Sequence, residues 1–194
     1  NANLGGADLM LANLTGANLD HADVGPANLT GANLAGAFLS YADFTAANLT
    51  GASLSSADFG SQHGVGAIFT TAILTGADLR FSGQSFYDIN SERLLYPINS
   101  AQLQSAASVV GVNLSGNSLG NYDLSGLDLS GANLSFAIVG GADFTATNLT
   151  NADLRFHDYP NSHFDAINSA QLQSAASVVG VNLSGNLLAG YDLH

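Results

Sequence analysis

An apolar side chain returns at every fifth position from the start of the chain: Leu4, Leu9, Leu14, Leu19, Val24, Leu29, Leu34, Leu39, Phe44, Leu49, Leu54 and Phe59. Two places before each stands an alanine, from Ala2 and Ala7 through to Ala57. A helix or a strand, with periods of 3.6 and 2, would carry these residues around every face of the element. A chain that turns a corner every five residues keeps both sets on its inner side. The pattern therefore predicts a solenoid in which the large residue fills the interior and the alanine permits close approach.

The positions between and after these pairs supply the corners. Asn or Asp stands between the alanine and the large residue, as at Asn3, Asp8, Asn13, Asn18, Asp23 and Asn28, and Thr or Ser and then Gly usually follow. Asn, Asp, Ser and Thr hydrogen-bond the local backbone and Gly accepts positive φ, so a bend every five residues has a chemical cause.

Units such as Ala-Asn-Leu-Thr-Gly and Ala-Asp-Phe-Thr-Ala resemble the pentapeptide-repeat family over residues 1–79, 112–154 and 181–193. The resemblance implies an all-β solenoid, a right-handed quadrilateral parallel β-helix with about four pentapeptides per coil and coils about 4.8 Å apart. Its interior ladder would run through Leu4, Leu9, Leu14, Leu19, Leu29, Leu34, Phe44, Leu49 and Phe59, and then Leu114, Leu124, Leu134, Phe144 and Leu154.

Two stretches break the pattern. Residues 60–66 lose the motif, but Phe69, Leu74 and Leu79 keep the five-residue count, which suggests a deformed side with the solenoid continuing through it. After Leu79 the pattern stops until Leu114. The interruption contains residues 98–117, repeated identically as 167–186, and Ala-Asp-Leu-Arg-Phe precedes both copies at some distance.

In each copy, Asn99 with Gln102 three residues on resembles a capping box, and Leu103, Ala106, Ala107 and Val110 form an apolar stripe ahead of Gly111. This predicts two short inserted helices, over 100–110 and 169–179. Being too short to be stable alone, each is expected to dock on a side or cover an open coil. The spacers 82–97 and 157–166, with Tyr87, Tyr96, Pro97, Tyr159 and Pro160, read as surface loops. The expected organisation is solenoid 1–79, insert 80–111, solenoid 112–154, second insert 155–180 and a further solenoid segment over 181–194, all in one elongated domain.

Composition narrows the function. Only 9% of residues are charged, and the net charge of −12 reflects a near absence of base, since Arg80, Arg93 and Arg155 are the three cations. Phosphate recognition needs cations, so direct nucleic-acid binding is not expected. No run of eighteen apolar residues calls for membrane insertion. The absence of Cys leaves compartment unread from redox usage.

Candidate chemistry is thin. His157, Asp158, His163 and Asp165 are the one gathering of ligand-type side chains, and a plain polar loop is the preferred reading there. Asn-Leu-Thr and Asn-Leu-Ser at Asn13, Asn28, Asn48, Asn113, Asn133, Asn148 and Asn182 are nominal glycosylation acceptors that the repeat itself generates. No nucleophile motif, cofactor motif or small-molecule pocket is indicated, so the chain is not expected to be an enzyme.

The first residue is Asn rather than Met, and both termini read as repeat, so the chain is expected to be a fragment or a mature form. Leu193 of one copy would stand five positions before Leu4 of a following copy, with Ala2 in place. This register leads to the expectation of a structural or scaffold solenoid joined to itself end to end, extracellular or at the cell surface, with the cytoplasm as the alternative. Protein binding and acidic DNA mimicry that inhibits gyrase, known in the family, are the other readings. With twenty residues per coil, one side would present Asn3, Asp23, Asp43 and His63 and another Asn13, Asn33, Ser53 and Ile73, which dilutes the carboxylates too much for a DNA mimic.

Overall fold

The computed structural model describes residues 2–60, 67–80, 98–156 and 166–186, with backbone alone at 87–88 and 93–94. Isolated parallel bridges join Asn3 to Asp23, Asp8 to Asn28, Asn13 to Asn33 and Asn18 to Phe38, each across twenty residues. Four bridges five residues apart make one four-sided coil. The backbone carries two sets of bonds. Leu4 N donates to Asp23 O in the next coil, while Ala7 N donates to Leu4 O and closes the corner, and both bonds recur along the chain.

Asn and Asp brace the corners from outside. Asn13 Oδ1 accepts from Thr15 N at 3.2 Å and from Thr15 Oγ1 at 2.7 Å, and the same pair of bonds is made by Asn28 with Thr30 and by Asn148 with Thr150. These local bonds tie the turn to the side chain that precedes it.

The alanines and the large residues fill the interior. Leu19, Leu29, Leu34, Phe44, Leu49, Phe59, Leu114, Leu124, Leu134, Phe144 and Leu154 are buried, while Leu4, Leu9 and Leu14 are partly buried against the same core. Each fully buried Leu or Phe contributes about 1.5 to 3 kcal/mol. Phe44 and Phe69 stack at 5.2 Å with Phe59 tilted against Phe69, a short aromatic column inside the coil.

The stretch after Phe59 is not a deformed side. Asp43 bridges to Ile68 and Asn48 to Ile73, across twenty-five residues. Ala67 N donates to Phe59 O at 2.8 Å, closing with eight residues a corner that elsewhere takes three. Five extra residues thus leave the coil at one corner. Gly60 begins the departure at φ +56, where an added Cβ would collide with Ser40.

The helices of the two inserts stand in place of a side and do not dock on one. In the first, Tyr87–Asp88 (β1) pairs antiparallel with Arg93–Leu94 (β2), a small ladder where a loop was expected. The helix α1, Ser100–Ser105, follows, and α2, Ser169–Ser174, holds the matching place in the second copy. Both capping boxes are formed, Asn99 with Gln102 and Asn168 with Gln171.

Each helix is six residues and stops well short of the expected 110 and 179. Ala106 is already extended, at φ −70 and ψ 147, and its N–H closes onto Leu103 O as in any corner of the repeat. Ala107 N then donates to Ala72 O, and Ser108 bridges to Ile73. The coil therefore resumes at Ala107 and not at 112. Val109, not Val110, enters the core. Ala107 to Gly111 is a repeat unit whose apolar spacing also fits a helix, and pairing with the previous coil decides between the two.

Candidate functional site

Following the bridges gives each side its outward residues. The first side carries Asn3, Asp23, Asp43 and Ile68, then α1, then the bridged pair Asp123 and Asp143, then α2. The second carries Asp8, Asn28, Asn48, Ile73 and Ser108, followed by Asp128, Asn148 and Ser177. The fourth carries Asn18, Phe38 and Asp58, and later Ser118 and Ile138. The residues that follow Arg80 and Phe156 in the sequence, where this side would come next, lie largely outside the described residues.

Among the described residues the third side alone is an unbroken ladder: Asn13, Asn33, Ser53, Asp78, Asn113, Asn133, Asp153 and Asn182, eight positions joined by seven bridges. At the ordinary strand spacing it runs about 34 Å. Two of its residues are acidic, and each is matched. Arg80 Nη2 lies 2.7 Å from Asp78 Oδ2, and Arg155 Nη2 lies 2.7 Å from Asp153 Oδ2. The Asp78 pair holds the Arg80 guanidinium pKa above its ordinary value, through the side-chain hydrogen bond first and charge attraction second. In a chain of net charge −12, this side is balanced.

The five extra residues of the corner after Phe59 change which side chains share a side. Ile68, not His63, follows Asp43, and Asp78, not Ile73, follows Ser53. Carboxylates remain scattered among amides in the corrected order.

Other candidate chemistry is limited. A cavity of about 650 Å³ opens at the last described coil, between Leu172, Ala176, Val178, Val181 and Leu183. It presents no titratable group among its lining side chains. Tyr122 donates its hydroxyl to Ile98 O at 2.9 Å, and burial raises its pKa. Among the described residues no group of His, Cys, Asp or Glu could hold a metal ion. His157, Asp158, His163 and Asp165 lie outside the described residues, as does Leu193; Ala2 is exposed and Leu4 half-buried.

A family profile described as pentapeptide repeats matches residues 1–24, 27–61, 107–145 and 128–158, in eight copies, over more than half of the chain. The chain belongs to the pentapeptide-repeat family. The profile's third match begins at residue 107, where the coil resumes. No curated protein matches this pentapeptide-repeat chain.

Solved structures do. A pentapeptide repeat protein of the Arabidopsis thaliana thylakoid lumen is 22% identical, over 76% of this chain and 65% of that one, with a TM-score of 0.32. The chain thus spans just under two thirds of that relative. HetL, involved in heterocyst differentiation regulation in Nostoc sp. strain PCC 7120, is 25% identical over 99% and 76% of the two chains, with a TM-score of 0.27. A trypsin-treated variant of QnrB1, a plasmid-mediated fluoroquinolone resistance protein, is 18% identical over 95% and 82%, with a TM-score of 0.34.

Proposed function

We propose that this pentapeptide-repeat chain is a non-enzymatic scaffold, a right-handed four-sided rod that engages protein through its third side. The observation that carries this reading is the unbroken ladder from Asn13 to Asn182, free of inserts and balanced in charge. Amides and hydroxyls repeating at a fixed step present donors and acceptors to a partner's backbone and side chains, an ordinary use of a solenoid face. The filled interior favours binding on the outside over chemistry within.

The layout speaks against DNA mimicry. Adjacent outward carboxylates occur as Asp23 with Asp43 and Asp123 with Asp143, and the first side interrupts them with Ile68 and α1. A duplex is charged at every step.

Photo-crosslinking residues placed at Asn33 or Asn133 on the third side, and at Asp123 on the first, test the proposal in the source cell. A protein captured from the third side and not from the first supports it. Capture that does not depend on the side defeats it. Electron microscopy of the native material reads self-association separately: continuous rods support the end-to-end join expected of Leu193 and Leu4, and an extracellular or cell-surface fibre, while short discrete particles speak against both.

A further inference from the structure

Beside the two helices, side-chain amides donate to backbone carbonyls that a regular coil would pair through its backbone. Where a chain turns a regular corner, the large residue's carbonyl accepts from the backbone three residues on. At Leu79, where the five-residue pattern stops, the carbonyl accepts from Asn117 Nδ2 at 3.1 Å, and Asn117 Nδ2 also donates to Leu114 O.

Ala67 O would normally accept from the strand of the next coil, as Ala42 O does from Ile68 N. It accepts instead from Gln102 Nε2 at 2.9 Å. On the far side of α1, Gln104 Nε2 donates to Asp123 O at 3.3 Å and to Ser125 O at 2.9 Å, carbonyls that a strand above would have reached.

The second copy repeats the first two substitutions. Asn186 Nδ2 donates to Leu154 O at 2.8 Å, and Gln171 Nε2 to Ala142 O at 2.8 Å and Val139 O at 2.9 Å. Thr75 with Ser108 and Thr150 with Ser177 then join hydroxyls across the restarted coil, both at 2.8 Å. Yet the coil containing the first detour spans thirty-five residues and that containing the second spans twenty-nine, as Ile73 to Ser108 and Asn148 to Ser177 show.

From these two solutions we infer that residues 98–117 are a coil-restart cassette. Gln102 and Gln104 supply donors a strand would have given and Asn117 holds the carbonyl of Leu79, so the solenoid accepts inserted sequence between its third and first sides, whatever its length, without disturbing the second and third sides. The identical segment 167–186 is the same device used again. The cassette, and not the sequence it follows, returns the chain to register.

The test is made in the full chain. Residues 82–97 are replaced by the sequence of 157–166, or by ten Gly and Ser residues, and compared with Gln102→Leu and Asn117→Leu. The spacer variants are expected to unfold within about 2 °C of the parent, and the amide variants more than about 4 °C below it. Native-state hydrogen exchange gives a second reading: Asn113 and Leu114 keep their protection in the spacer variants. Spacer variants that lose as much as the amide variants, or that lose protection at those two amides, overturn the proposal. So do amide variants that unfold with the parent.

Discussion

Asp43 pairs with Ile68 across twenty-five residues, where every earlier rung spans twenty. The surplus five leave the coil between Phe59 and Ala67, whose carbonyl and N–H already meet at 2.8 Å. Deleting residues 62–66 should therefore give a regular corner and leave the unfolding free energy, measured by denaturation, within about 0.5 kcal/mol of the parent, since it shortens the connection and keeps every described bridge. A loss of several kcal/mol would mean that the extra residues hold the coil.

Inner and outer positions should differ sharply. Leu34 and Phe44 have no exposure, so Leu34→Asp or Phe44→Asp buries an unpaired charge in the ladder and should cost at least about 4 kcal/mol, enough to prevent folding. Asn33→Asp keeps an oxygen that can accept from Ala35 N at 3.1 Å and should cost no more than about 0.5 kcal/mol. Chemical denaturation of the three variants measures the difference, and equal losses would reverse the assignment of inside and outside.

Phe136 occupies a corner at φ +59 and is 54% exposed. Left-handed backbone disfavours a bulky residue, and Asn tolerates it. Phe136→Asn should stabilise the protein by about 0.5 to 1 kcal/mol, read as a higher midpoint in denaturant. Destabilisation would show that the ring packs more than its exposure suggests.

The hydroxyl of Thr145, and then its backbone N–H, donate to Asp143 and hold that carboxyl below its usual pKa. A depressed pKa contributes stability above the unfolded value, and that contribution is lost as pH falls through the folded one. Thr145→Val removes the hydroxyl and keeps the backbone donor. The Asp143 titration, followed by NMR, should move upward and stop short of the ordinary carboxylate range, and the acid transition should begin at slightly higher pH. An unmoved titration would remove the hydroxyl from the account.

How far the fold can be read from residue types is clear at particular positions. The capping box of Asn99 and Gln102 is visible in sequence because its geometry spans three residues. The end of α1 is not, because Leu103, Ala106 and Ala107 satisfy the helical and the five-residue spacing alike, and the bond from Ala107 N to Ala72 O settles it across thirty-five residues. Asn117 stands at a position usually held by alanine, and this departure was the available sign of the buried amide that covers Leu79 O. The candidate side was legible only in part. Asn13, Asn33 and Ser53 follow from a count of twenty, but Asp78 and its partner Arg80 join them only after the five extra residues are removed from the coil.

The chain by itself determines which side chains point inward, where the corners fall, and that base is scarce. Those properties repeat within five residues and arise from local bonds, the size of Leu, and the turn chemistry of Asn and Thr. Which residues stack above one another is decided only in the folded coil. A five-residue count is blind to an insertion of five, so the order along a side depends on the hydrogen bonds one coil makes with the next.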